Sequence, residues 1–152
     1  MKLIIKMLAN GFYLGHIPVG PGTFGSLIGV LIYYFICRWL SIPMQIVTFI
    51  PFFFLSVWVS NEAIKIYNDE DPKQVVIDEV AGILITYLAH PFSWKMIIVG
   101  FILFRFFDIL KPFPIKRVEK IFPGGWGIVM DDIVAGIFAN FSLWVIFMII
   151  KL

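Results

Sequence analysis

Two pairs of adjacent acidic residues are the strongest chemical signal in the sequence. Asp78 and Glu79 open one apolar segment, and Asp131 and Asp132 open another. Acidic residues at a helix N-terminus gain only about 0.3–1 kcal/mol from the helix dipole, which does not offset the desolvation of carboxylates among apolar neighbours. Carboxylate oxygens are the ligands that hard cations prefer, so the two pairs predict a Mg²⁺ site.

A third motif combines one acidic residue with two basic residues. Arg105, Asp108 and Lys111 are spaced by three, which keeps them within roughly 120° of one helical face. An arginine placed among acidic groups can grip a phosphate through two parallel hydrogen bonds while metal ions neutralise the carboxylates. Arg105 and Asp108 could instead form a simple ion pair along the helix. The spacing leaves both roles open.

Small and hydroxyl-bearing residues open a further apolar segment. Gly22, Thr23 and Ser26 follow Pro21, and they offer free backbone N–H groups and two hydroxyls at a helix start. Such a helix start can bind an anion, so the segment is a candidate phosphate cradle. The same residues are equally typical of a helix cap with small residues for close packing.

Histidine and cysteine argue against other kinds of site. The apolar segments predict helices that cross a membrane back and forth, which places His16 and His90 on opposite sides. This separation disfavours a phosphohistidine or a histidine-rich metal centre. Cys37 is the single cysteine, so neither an intramolecular disulfide nor a thiolate zinc site is encoded.

The composition predicts a membrane protein. The chain has 152 residues, of which 61% are hydrophobic, 18% aromatic and 14% charged, whereas soluble domains have roughly 45–50% apolar and 25% charged residues. A chain of this size cannot hide so much apolar surface from water. The net charge of +2 and the absence of a basic run with interleaved aromatics argue against nucleic acid as a partner. We predict an all-α integral membrane protein that forms a single domain over residues 1–152.

Five apolar segments are predicted to form a compact bundle of transmembrane helices. They cover residues 23–37, 43–65, 75–89, 94–110 and 133–150. Several are slightly shorter than the roughly 20 residues that a span needs, so their charged ends are expected in the headgroup layer of a locally thinned membrane. Residues 3–14 and the basic, amphipathic residues 112–123 are predicted to lie along the membrane surface.

Threading these helices back and forth assigns the loops to two sides. One side receives eight basic residues, namely Lys2, Lys6, Lys65, Lys73, Lys111, Lys116, Arg117 and Lys120. The other side receives Arg38, Lys95 and Lys151. The positive-inside rule therefore places the first side in the cytoplasm. Every acidic residue except Glu62 falls in the same layer, and since a helix bundle does not need this clustering for its stability, we predict a site there.

Four motifs, taken together and in this order, resemble the phosphatidylglycerophosphatase A family. They are PGTFGSL at 21–27, DP at 71–72 leading to VVIDE at 75–79, FRFFDILKPFPI at 104–115, and GGWGIVMDD at 124–132. The resemblance runs from about Gly11 to the last helix. It implies a magnesium-dependent lipid phosphatase of the bacterial inner membrane, which removes the terminal phosphate of phosphatidylglycerophosphate to give phosphatidylglycerol.

Roles for individual residues follow as hypotheses. Five carboxylates would bind one or two Mg²⁺ ions, namely those of Asp78, Glu79, Asp108, Asp131 and Asp132, and the nucleophile would be a water of lowered pKa. Arg105 and Lys111 would stabilise the charge on the phosphoryl oxygens. Gly22, Thr23, Ser26, Asp71 and Lys73 would contact the substrate. Direct attack by an aspartate to form an acyl phosphate is the alternative route.

Three rival classes of protein are consistent with an apolar chain. An ion or solute carrier would spread acidic groups through the depth of the membrane, which is not the pattern here. A phosphotransferase of the CDP-alcohol type would need a spaced Asp-Gly and Ala-Arg pattern that the sequence lacks. A noncatalytic membrane anchor would need fewer intramembrane charges. The oligomeric state is left open.

Overall fold

The structure, a computed structural model, describes residues 2–35 and 37–150 and is all-α over these residues. Its seven α-helices are α1 (Lys2–Ala9), α2 (Pro21–Phe35), α3 (Ile42–Tyr67), α4 (Ile77–Tyr87), α5 (Trp94–Leu110), α6 (Ile115–Ile121) and α7 (Gly125–Ile150). Short 3₁₀ turns lie at Leu14–His16 and Cys37–Trp39. The prediction of an all-α chain is confirmed.

Hydrophobic patterning placed four of the helices closely. The bounds of α5 are those predicted, and α2, α3 and α4 begin and end within two residues of the predicted bounds. Proline and glycine mark most of these ends because they restrict the backbone or remove a hydrogen-bond donor. Pro51 lies within α3, which continues through it.

The prediction for the last helix was wrong at its start. α7 begins at Gly125, eight residues before the predicted start at Ile133, so Asp131 and Asp132 lie inside the helix and not at its N-terminus. The charged pair Asp131 and Asp132 interrupts the apolar run, which is why the helix was predicted to begin after it. The structure buries both carboxylates against neighbouring helices, so the helix passes through them.

Asn61 of α3 caps the start of α7 across the interface between the two helices. Its Oδ1 accepts a hydrogen bond from the Gly125 N–H at 2.7 Å. A Cβ at Gly125 would lie 2.5 Å from the Val57 carbonyl oxygen, so only glycine allows this approach. This contact fixes the end of the helix that carries Asp131 and Asp132.

Removing this cap is expected to destabilise the fold. Asn61→Leu leaves the Gly125 N–H without its acceptor and should lower the free energy of unfolding by about 1 kcal/mol, as for other N-caps. Asn61→Asp retains an acceptor oxygen and should stay close to wild type. Thermal unfolding in detergent checks both variants, and equal stability of Asn61→Leu and wild type would refute the capping role.

Two helices are long and apolar enough to cross a membrane, namely α3 and residues 125–149 of α7. α2 is a shorter apolar helix, and the 11 residues of α4 extend only about 16 Å at 1.5 Å per residue. α3 and α7 carry rows of exposed apolar side chains, including Ile50, Phe54, Phe141 and Met148. Such rows are typical of a surface that faces lipid.

α4 lies at the centre of the bundle, between α2 and α7. Two glycines allow α4 and α7 to approach closely, since a Cβ at Gly136 would lie 2.4 Å from the Gly82 carbonyl oxygen. Small residues permit this kind of contact between membrane helices. The crossing brings the acidic first turn of α4 to the same depth as Asp131 and Asp132 within α7.

The N-terminal segment is anchored to the bundle. α1 packs against α3 with Ile5 and Ala9 buried. The Val76 N–H donates to the Ala9 carbonyl at 2.8 Å, and the Asn10 amide donates to the Tyr67 hydroxyl at 2.8 Å. α1 therefore fixes the loop that leads into α4.

Candidate active site

The helix ends that carry the charged motifs surround one cavity of about 720 Å³. Its wall comes from the starts of α2 and α4, the ends of α3 and α5, the loop before α4, the chain entering α7, and the N-terminal part of α7 as far as Asp132. The charged residues on this wall are Glu70, Asp71, Lys73, Asp78, Glu79, Asp108, Lys111, Asp131 and Asp132. The folded chain therefore brings the predicted acidic residues of three separate helices to one place.

Three of these carboxylates form a tight cluster. One oxygen each of Asp78, Glu79 and Asp132 lies within 4.8 Å of the others. Asp78 is 8% exposed and Asp132 3% exposed. Asp78 Oδ1 and Glu79 Oε2 are buried and have no hydrogen-bond partner. We call Asp78, Glu79 and Asp132 the acidic triad.

The triad has the chemistry of a metal site. Buried carboxylates are normally paired or hydrogen-bonded, because an unpaired buried charge is costly. The ion pairs among the described residues include no member of the triad. Three converging oxygens of this type fit a hard divalent cation, which would also satisfy the unpartnered atoms.

The other two predicted metal ligands are paired with basic residues. Asp108 Oδ2 accepts a hydrogen bond from Arg105 Nη1 at 2.5 Å, as the spacing of three allows. Asp131 forms an ion pair with Lys111. The sequence could not indicate this pair, because Lys111 follows α5 and Asp131 lies in α7, and only the packing of the two helices brings them together. The five carboxylates thus divide into a triad and two ion pairs.

Lys111 reaches α7 because of its backbone conformation. It caps the C-terminus of α5 in the left-handed region, with φ 41° and ψ 56°. A residue without glycine's freedom adopts this region only when the surroundings impose it. The turn directs the ammonium group to the cavity, where it meets Asp131.

Arg105 lies beside the triad, against the start of α2. A Cβ at Gly22 would be 2.2 Å from Glu79 Oε1 and 3.0 Å from Arg105 Nη1, so glycine at this position leaves room for both side chains. The Nε of Arg105 is buried without a partner. Arg105 is not part of the cavity wall; it lies behind the wall and binds Asp108, which is part of it, through Nη1.

The start of α2 serves packing more than direct contact with the cavity. The Ser26 hydroxyl is buried and donates to the Gly22 carbonyl at 2.8 Å. The Thr23 N–H donates to the Gly20 carbonyl at 2.9 Å. Of this segment Pro21 lines the cavity, whereas Gly22, Thr23 and Ser26 are not part of its wall. Substrate contact by Gly22, Thr23 and Ser26 therefore stays a prediction, and the structure shows the packing role of Ser26 and Gly22.

Asp71 and Lys73 do lie on the wall, contributed by the loop before α4. Glu70 and Phe122 also lie on the wall, although their residue types and positions in the sequence did not mark them as site residues. Nothing in a polar loop distinguishes one acidic residue from the next, because position on the cavity wall depends on how the loop folds back.

Neither histidine lies on the cavity wall. His16 Nδ1 is 3.3 Å from the Asn10 amide nitrogen, near the N-terminal segment. The ring of His90 packs on Trp144 with centroids 4.5 Å apart, towards the other end of α7. Burial lowers the pKa of His90 below its usual range.

Comparison with known proteins places the chain in a family. The family model for phosphatidylglycerophosphatase A matches residues 7–147. Phosphatidylglycerophosphatase A of Haemophilus influenzae is 37% identical over 136 residues, covering 89% of this chain and 83% of the relative. The Escherichia coli protein of the same name is 34% identical over 143 residues, covering 92% and 81%.

A Bacteroides thetaiotaomicron protein described as a candidate phosphatidylinositol-3-phosphatase is 34% identical over 140 residues, covering 88% of this chain and 87% of that protein. No solved structure matches. Because the family model covers nearly the whole chain, and the relatives are similar over most of their own length, the chain belongs to the phosphatidylglycerophosphatase A family.

Proposed function

We propose that this protein hydrolyses the terminal phosphomonoester of phosphatidylglycerophosphate, releasing phosphatidylglycerol and inorganic phosphate in a magnesium-dependent reaction. The observation that carries the proposal is the acidic triad on a cavity that also contains Lys111. Family membership supplies the lipid substrate, and the cavity supplies a charged compartment at the end of a strongly apolar bundle.

We assign the metal to the acidic triad. Asp78, Glu79 and Asp132 would hold Mg²⁺, which when bound supplies positive charge for the phosphoryl oxygens and lowers the pKa of a water nucleophile. Asp108 and Asp131, also proposed as ligands from the sequence, hold Arg105 and Lys111 in place in this arrangement.

The cations of the site act on the phosphate. The guanidinium of Arg105 has several donors in one plane, which suits two phosphate oxygens at once. Lys111 contributes a compact charge on the cavity wall. Both would stabilise the negative charge that moves onto the phosphoryl and leaving-group oxygens in the transition state. Asp71 and Lys73 would contact the polar part of the substrate from the loop.

We propose that α2, α3, α4, α5 and α7 all cross the bacterial inner membrane, with the whole chain acting as one domain and the cavity facing the cytoplasm. The cavity end carries eight basic residues, which lie in α1, α6, the last turn of α3 and the connecting segments, whereas Arg38 and Lys95 lie at the other end of the described chain. This imbalance supports a cytoplasmic cavity. The shortness of α4 fits a membrane thinned around the site, so that headgroup phosphates reach the triad while acyl chains stay in lipid.

Phosphate release from purified protein tests the activity and its metal dependence. With phosphatidylglycerophosphate and Mg²⁺ we expect steady release, and chelation by EDTA should lower the rate by at least about 100-fold because the site loses its main positive charge. Adding back Mg²⁺ should restore the rate. Absence of release, or an EDTA-insensitive rate, would refute the proposal and reopen the carrier, phosphotransferase and anchor alternatives.

A phosphatidylinositol monophosphate is a second candidate substrate, because one similar protein carries that description. Both lipids present a phosphomonoester on a polar headgroup. The same assay with each lipid compares their kcat/KM, and we expect phosphatidylglycerophosphate to have the higher value.

A further inference from the structure

We propose that α6 and its flanks form a docking surface for anionic phospholipids beside the cavity. We call this the α6 surface and define it by five residues, namely Phe113, Lys116, Arg117, Lys120 and Ile121. The inference rests on the proposed function in one respect, because only that function makes the neighbouring cavity a site for lipid substrate. The binding of lipid to α6 does not depend on turnover.

The helix presents two different faces. At about 100° per residue, Lys116, Arg117 and Lys120 share one arc of about 100°, and all three are exposed. Ile115, on the opposite arc, is fully buried in the core formed with α5 and α7. The inner face therefore attaches α6 to the protein, and the basic face points away from it.

The charge of this segment is unbalanced. Ile115–Ile121 contains three basic residues and one acidic residue, Glu119. The ion pairs among the described side chains involve Lys65, Arg105 and Lys111 and leave the three α6 cations out. A cluster of exposed cations next to a membrane attracts anionic headgroups.

Exposed apolar side chains flank the basic arc. Phe113 is 72% exposed and Ile121 is 68% exposed. The Arg117 guanidinium lies over the Phe113 ring, 4.9 Å from its centroid. Cations beside apolar groups are the pattern of a surface that binds headgroup phosphates while its apolar side chains enter the lipid. This combination favours an anionic phospholipid as the occupant.

The α6 surface adjoins the candidate active site at both of its ends. Lys111 precedes it and lies on the cavity wall, and Phe122 and Gly124 follow it on the same wall. A lipid headgroup held on α6 therefore lies next to the cavity. The expected consequence is a higher local concentration of anionic lipid, the charge class of the proposed substrate, at the entrance.

Lipid association of the full chain tests the surface separately from catalysis. The protein is reconstituted in phosphatidylcholine vesicles with a small fraction of spin-labelled phosphatidylserine or spin-labelled phosphatidylcholine. Phosphatidylserine has no phosphomonoester, so turnover does not affect the result. We expect wild type to prefer phosphatidylserine by about tenfold, because three cations near the membrane surface attract anionic headgroups and salt partly screens that attraction.

A triple variant removes the charge of the surface. Lys116→Gln, Arg117→Gln and Lys120→Gln together should abolish the preference. The matched control removes the same charge from exposed positions elsewhere, through Lys2→Gln, Lys65→Gln and Lys95→Gln. This control should retain the preference for phosphatidylserine. Circular dichroism and thermal unfolding verify that both variants fold.

A second measurement needs no variant. Raising the ionic strength should reduce the preference of wild type for phosphatidylserine and leave phosphatidylcholine association unchanged, because screening acts on charge. A wild type without preference, or a triple variant that keeps it, would overturn the α6 surface. If the α6 surface is overturned in this way but phosphate release is normal, the proposed function stands. If release is absent while the α6-dependent preference is intact, only the proposed function is refuted.

Discussion

Asp132→Asn is expected to lower kcat for phosphate release by about 1,000-fold, a loss typical of removing a main source of transition-state charge stabilisation. The substitution keeps the size of the side chain and removes its negative charge. Because Asp132 is one of three carboxylates within 4.8 Å of one another, the triad then has one anionic ligand fewer for the cation. The loss should therefore appear in metal affinity as well as in the rate.

Mn²⁺ binding, followed by electron paramagnetic resonance, provides the second readout. We expect weaker Mn²⁺ binding for Asp132→Asn than for wild type. Asp108→Asn makes the same chemical change in the same cavity but breaks the ion pair with Arg105, so it should reduce turnover while leaving Mn²⁺ affinity close to wild type. That contrast separates the triad from the paired carboxylates.

Glu62→Gln is the control for loss of an acidic residue. Glu62 pairs with the exposed Lys65 at 2.6 Å and is not on the cavity wall. An exposed pair of this kind contributes little to stability, so the variant should match wild type in both measurements. A wild-type rate and Mn²⁺ affinity in Asp132→Asn would exclude the triad as the metal site.

Gly136→Ala is expected to lower activity by about 100-fold although it lies outside the cavity wall, since a displacement of about 1 Å at reacting groups is sufficient for such a loss. The added Cβ would lie 2.4 Å from the Gly82 carbonyl oxygen. This neighbour is backbone, so no rotamer change relieves the clash and α4 and α7 must move apart. The triad takes two members from α4 and one from α7, and the movement would separate them.

The same substitution should also destabilise the bundle, by about 1–3 kcal/mol, as overpacking does elsewhere. Ile137→Ala is the control, because this neighbouring residue is exposed and the change removes volume from the outer face of α7. We expect Ile137→Ala to keep wild-type activity. Phosphate release and thermal unfolding check both variants, and full activity of Gly136→Ala would show that the crossing does not set the site.

Much of the helical framework could be predicted from local signals. Uncharged runs bounded by proline or glycine located α5 to the residue and α2, α3 and α4 closely, since these residues act on the backbone wherever they occur. The start of α7 was not predicted because it depends on contacts with other helices and not on a local signal. Asp131 and Asp132 look like the N-terminal limit of an apolar helix, and only those contacts make their burial favourable.

The sequence alone identified the candidate residues for the chemistry. The acidic pairs, Arg105, Asp108 and Lys111 stand out by type, and their concentration at one end of the bundle follows from alternating helices. Only the tertiary structure decided how they are partnered. Asp78, Glu79 and Asp132 share one cluster while Asp131, adjacent in sequence to Asp132, pairs with Lys111. Neighbouring residues on a helix point about 100° apart. The close α4–α7 crossing at Gly82 and Gly136 therefore decides that Asp132, and not Asp131, joins Asp78 and Glu79.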